Sequence, residues 1–162
     1  MFNGNISKRI VLDLVESEAL NGHYKKNPYN LKLFDMSSVS VTIDGEHVPI
    51  KPINLKLTSA GGRNFIEAYN TLSSGTGMMN HDSGNDISRD DYYQGFGLLC
   101  LDLTPDACSA SEHFNERNKG NASLEMQFSK GLPPAVNLIV YGEFESLIEI
   151  DQGRHVINDF AS

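Results

Sequence analysis

The run Ala135 to Ile150 (AVNLIVYGEFESLIEI) constrains the fold more than any other part of the chain. Taken alternately, Val136, Leu138, Val140, Gly142, Phe144, Ser146, Ile148 and Ile150 share one side, and Asn137, Ile139, Tyr141, Glu143, Glu145, Leu147 and Glu149 the other. Successive side chains leave opposite faces of a sheet, so this alternation predicts a half-buried β-strand. A run of this length at roughly 3.3 Å per residue would span about 53 Å. That is long for one strand of a small domain, and a bend or break is expected near Gly142.

Other alternating runs supply partners. Lys8 to Val15 places Ile10, Leu12 and Leu14 on one face, and Met36 to Ile43 does the same with Val39, Val41 and Ile43. Asp44-Gly45 follows at once and predicts a tight hairpin, because this pair tolerates positive φ at both turn positions. Glu46 to Val48 is the return limb. Pro49 and Pro52 confine the next piece to an edge or a bend, since proline cannot donate to a ladder. Ile53, Leu55 and Leu57, then Phe96 to Leu103, then Ala122 to Phe128 extend the series, and Asp151-Gln152-Gly153 turns a last hairpin into Arg154 to Ile157. One helix is predicted after Gly61-Gly62: Asn64 and Glu67 have capping-box spacing, Phe65, Tyr69 and Leu72 form an apolar stripe, and Ser73-Ser74-Gly75 ends it. Thr76 to Gln94 and Ala107 to Gly120 are long and polar and predict loops. About eight short strands, one short helix and long loops in 162 residues predict a single all-β domain over residues 1–162, an antiparallel eight-stranded jelly-roll sandwich.

The chemistry-bearing residues are sparse. His23, His47, His81, His113 and His155 are scattered, with no pair at ligand spacing. No nucleophile elbow and no phosphate-binding glycine loop occurs, so no catalytic residue, no cofactor and no enzymatic activity are expected. The one weak metal candidate is the acidic stretch Asp82, Asp86, Asp90 and Asp91, which offers several oxygens at close spacing, as calcium prefers. It lacks the ordered ligand positions and terminal Glu of an EF-hand loop, and Asp82 and Asp86 are expected instead to accept backbone N–H groups and hold the loop in shape. Glu143, Glu145 and Glu149 read as a solvated strand face rather than a glycosidase pair. A formal net charge of −8 argues against nucleic acid and anionic membranes as partners. Met1 to Ser7 has neither the basic nor the apolar region of a secretory signal. Cys100 lies in an apolar run and Cys108 in a polar loop, so no disulfide is expected, in keeping with synthesis inside the cell.

Four blocks carry a resemblance: KRIVLDLVESEALNGHYKKNPYNLKLFDMSSVSVTIDGEHVP (Lys8 to Pro49), YNTLSSGTG (Tyr69 to Gly77), DSGNDISRDDYYQGFGLLCLDLTPD (Asp82 to Asp106) and VNLIVYGEFESLIEID (Val136 to Asp151). In order and spacing they resemble double-jelly-roll major capsid proteins of the adintovirus and Maverick/Polinton type, virus-derived proteins found in animal genomes. The resemblance implies a structural role in the virion: trimers formed through the flanks of the roll, tiling an icosahedral shell. Such proteins carry two rolls and this chain has room for one, corresponding to the second. That implies exposed apolar surface where an N-terminal roll would pack. Because jelly rolls also serve as lectin domains, the alternative expectation is a host-adopted module that binds carbohydrate or protein, with Tyr92-Tyr93 as its only aromatic platform in a long loop.

Overall fold

A computed structural model describes residues 2–55, 65–82, 84–111, 113–115 and 118–159. The architecture is all-β and antiparallel, with a few short helices. Nine strands are described: β1 (Phe2–Asn5), β2 (Arg9–Glu16), β3 (Met36–Ile43), β4 (Glu46–Asn54), β5 (Leu99–Asp102), β6 (Lys119–Phe128), β7 (Val136–Glu143), β8 (Leu147–Ile150) and β9 (Val156–Asp159). Three α-helices accompany them: α1 (Ser17–Leu20), α2 (Ile66–Gly75) and α3 (Arg89–Gly95), with a 3-10 turn at Met78–Asn80. The count exceeds the eight strands and one helix predicted. The long run breaks at residues 144–146, two residues beyond Gly142, into β7 and β8. β1 has no apolar alternation and is held by backbone pairing, Phe2 opposite Ala122 through Asn5 opposite Lys119.

The strands form a four-stranded sheet in the order β1-β6-β3-β4, a three-stranded sheet in the order β5-β2-β7, and the separate hairpin β8-β9. The Asp44-Gly45 turn joins β3 to β4 with φ of 50° and 92° at its two residues, the positive values that the pair was chosen for. Val41 pairs with Val48 but Val39 pairs with Ile53, so β4 bulges where Pro49 and Pro52 stand, and it lies at a sheet edge as proline requires. Leu57, Gly61-Gly62 and the Asn64 cap fall outside the described residues. α2 begins at Ile66 with Phe65 at its N-cap position.

The inward residues of both sheets merge into one core: Ile10, Leu12 and Leu14 from β2, Val39 and Val41 from β3, Ile53 from β4, Leu99 and Leu101 from β5. α2 adds Ala68 and Leu72, and α3 adds Tyr92, whose ring is fully buried and whose hydroxyl donates to Leu98 O at 2.8 Å. α2 lies against β5 so closely that a side chain at Gly75 would strike the Cys100 sulfur. One flank of the two sheets is thereby closed by a helix. At the other flank β7 pairs with β2 and, among the described residues, with no second strand.

Candidate functional site

The structure spreads the acidic stretch out. Asp82, Asp86 and Asp90 are exposed, Asp86 at φ 55° in a turn and Asp90 in the first turn of α3. Among the described residues, no three His, Cys, Asp or Glu side chains converge on a point. The loop is held by other groups. Asn85 Oδ1 accepts Ile87 N–H at 3.2 Å, Tyr69 donates to Ile87 O at 2.7 Å, and Ser88 caps α3 by accepting Asp91 N–H at 3.2 Å. This corrects the expectation that Asp82 and Asp86 brace the loop. It also reveals a helix hidden by polar composition: its signal was Ser88 three residues ahead of Asp91, a capping spacing. Tyr92-Tyr93 is therefore no loop platform. Tyr92 is core, and Tyr93 stacks on Phe65 with ring centroids 5.8 Å apart.

Glu143 and Glu145 are not a free solvated face. Lys8 Nζ lies 2.8 Å from Glu143 and 3.6 Å from Glu145, and Arg9 bonds Glu143 while also donating to Gly75 O at 2.8 Å. Burial pushes the Glu143 carboxyl up, but the hydrogen bonds and charges of Lys8 and Arg9 outweigh it and hold the group below the usual carboxylate range. Of the histidines, His113 pairs with Asp106 at 2.7 Å and His155 with Asp151 at 2.9 Å, both at the surface. Cys100 and Cys108 are free thiols, the first buried and the second exposed.

A cavity of about 310 Å³ opens beside α3, lined by Lys32, Phe34, Asp35, Leu55, Phe65 and Tyr93 among others. Phe34 and Asp35 both take positive φ, 47° and 54°, which turns the chain into β3 and sets the Phe34 ring at the cavity wall.

The largest unusual feature is apolar surface along the C-terminal quarter. Leu138, Ile139 and Tyr141 on β7, Ile148 and Ile150 on β8, and Val156 and Ile157 on β9 are all exposed, Tyr141 at 62% and Ile150 at 70%. The β8-β9 hairpin pairs with itself, Glu149 opposite Ile157 and Ile150 opposite Val156, and among the described residues joins neither larger sheet. An isolated two-stranded hairpin is marginal in water, and exposed apolar side chains in this number are what interaction sites present. The sequence pattern identified these residues as strand but assigned half of them to a buried face. The signal for exposure was the presence of Ile139, Tyr141 and Leu147 on the face opposite the apolar one.

The chain is 30% identical over 162 residues to an uncharacterized protein of Caenorhabditis elegans. The match takes in 98% of this chain and 38% of that protein, so the chain spans well under half the length of this relative. No protein-family model matches the chain, and no solved structure matches it.

Proposed function

We propose that the chain is a structural module, a capsid-type jelly roll that works by packing against further copies into capsomers of an icosahedral shell, and that it performs no catalysis. The observation that supports this reading is the nesting of the strand pairs. An eight-stranded roll is one long antiparallel hairpin, its strands paired first with eighth, second with seventh, third with sixth and fourth with fifth, folded over into two sheets. With β1 taken as the second strand, β1·β6, β2·β5 and β3·β4 are three of those four pairs. β2·β7 and β3·β6 are the two further contacts that folding-over adds. The resemblance of the four sequence blocks to double-jelly-roll capsid proteins supplies the shell. The exposed apolar residues of β8 and β9, with Ile139 and Tyr141 on the outward face of β7, supply a flank through which trimers would form, and the acidic character leaves genome contact to other proteins.

The test is the solution mass of the purified chain by light scattering across a concentration range. A trimer or larger closed species is expected. A strict monomer at every concentration, with a separately supplied N-terminal roll also failing to assemble it, removes the shell reading. The aromatic-walled cavity favours a second reading, a binding module derived from the same fold. A glycan-array signal lost in Tyr93→Ala would support it.

A further inference from the structure

Among the described residues, β7 ends its sheet with bonding capacity unused. Ser17 N–H donates to Ala135 O at 3.0 Å and the β2·β7 register runs from Glu16 opposite Val136 to Arg9 opposite Glu143. In an antiparallel ladder hydrogen-bonded and non-hydrogen-bonded pairs alternate. Asn137, Ile139 and Tyr141 therefore bond with β2, and Val136, Leu138, Val140 and Gly142 turn their N–H and C=O groups away from it.

The side chains give a second, independent sign. Leu138 and Val140 stand opposite Leu14 and Leu12 and so share their core-facing side. Leu14 and Leu12 are 5% and 1% exposed, whereas Leu138 is 38% exposed. On the facing sheet Leu124, Met126 and Phe128 of β6 are only partly buried, although β6 is an internal strand. β1 reaches only as far as Ala122 along it. The two sheets thus gape on the β7 side, and the residues that gape are apolar and point inward.

We propose that the free edge of β7 is completed by one further strand, an extended segment lying immediately N-terminal to β1 in a longer polypeptide, running antiparallel to β7 and placing alternate apolar side chains over Leu138, Met126 and Phe128. Backbone bonds to an exposed edge give such a strand its affinity, and pockets for alternate side chains its specificity. The choice of an N-terminal segment rests on the roll reading, in which the strand absent from the nested set is the first and its partner is the eighth, β7. The open edge itself rests on geometry alone. The match takes in 38% of the Caenorhabditis elegans relative, so a longer polypeptide around such a roll has a precedent.

The test compares amide hydrogen exchange in the 162-residue chain and in a fusion that carries a designed eight-residue Thr/Val strand and a Gly/Ser linker ahead of Met1. In the chain alone, Leu138, Val140 and Gly142 are expected to exchange at least tenfold faster than Ile139 and Tyr141. In the fusion those three amides slow at least tenfold while the mass stays monomeric or unchanged from the parent. Leu138→Lys, a charge at a position already half open, restores fast exchange in the fusion and leaves the parent folded. Three results overturn the proposal: slow exchange of the three amides in a monomeric parent, protection in the parent that rises with concentration together with mass (a second copy on the edge), or a fusion that leaves them fast. Failure of shell assembly in light scattering leaves this readout untouched, so the two readings fail separately.

Discussion

Truncating two leucines that share one face of the β2·β7 ladder measures how open that flank is. Leu12 sits in the central strand of its sheet, flanked by Leu99 on β5 and Val140 on β7, and is 1% exposed. Leu12→Ala removes a fully buried side chain from between two paired strands, where the surroundings cannot collapse, and a loss of about 3 kcal/mol is expected from the usual range for such cavities. Leu138 faces the same core from the edge strand at 38% exposure. Leu138→Ala forfeits only part of a burial term of roughly 1.5–3 kcal/mol and leaves a notch open to water rather than a cavity, so about 1 kcal/mol is expected. Urea unfolding followed by circular dichroism reads both. With a slope of about 2 kcal/mol per molar, the midpoint falls by about 1.5 M for Leu12→Ala and about 0.5 M for Leu138→Ala. Equal losses would refute the reasoning, because they would mean that Leu138 is covered in solution. A small loss at Leu12 would refute the packing of the core itself.

Two further expectations concern charge and thiol chemistry. Glu143 is held below its ordinary value of 4.5 in the folded chain, so its contribution is present above that pH and is lost as pH falls through the lower folded value. The stability gap between wild type and Glu143→Gln, about 1 kcal/mol at neutral pH for a partly exposed ion pair, should close as unfolding is repeated from pH 6 down to pH 3; a gap that widens on acidification would show the pairing to be wrong. Burial pushes the Cys100 thiol up to about 11 while Cys108 is exposed. Iodoacetamide at pH 8 should therefore label Cys108 alone in the native chain and both cysteines in urea, and equal native labelling would count against the burial of β5.

What could be read from the sequence was local. The Asp44-Gly45 hairpin declared itself because turn chemistry is written in two adjacent residues, and the prolines of β4 announced both an edge and a bulge. β2, β3, β6 and β7 declared themselves by alternation. The pairing of β2 with β7 joins residues some 130 positions apart and leaves no mark on either stretch, since any alternating strand offers the same apolar face to any other. β1 was invisible because Phe2–Asn5 carries no apolar alternation, and its pairing with β6 is a matter of backbone register. α3 was concealed in a polar run whose buried member is a single tyrosine, Tyr92. The candidate aspartates lay near one another in sequence, yet a turn at Asp86 and a helix start at Arg89 spread them over the surface. The open flank was least legible of all: exposure at Leu138 depends on which strand is not beside it, and alternation records only which way a side chain points.

The placement of α2 against β5 has a consequence for how the sheet can grow. A sheet with two available borders can add strands without limit, which is how fibres grow. In the β5-β2-β7 sheet one border lies against a helix, with Gly75 in van der Waals reach of Cys100. In the other sheet the β4 border carries Pro49 and Pro52, which cannot donate to an incoming strand. Among the described residues, growth of the β5-β2-β7 sheet is therefore confined to one direction, outward from β7.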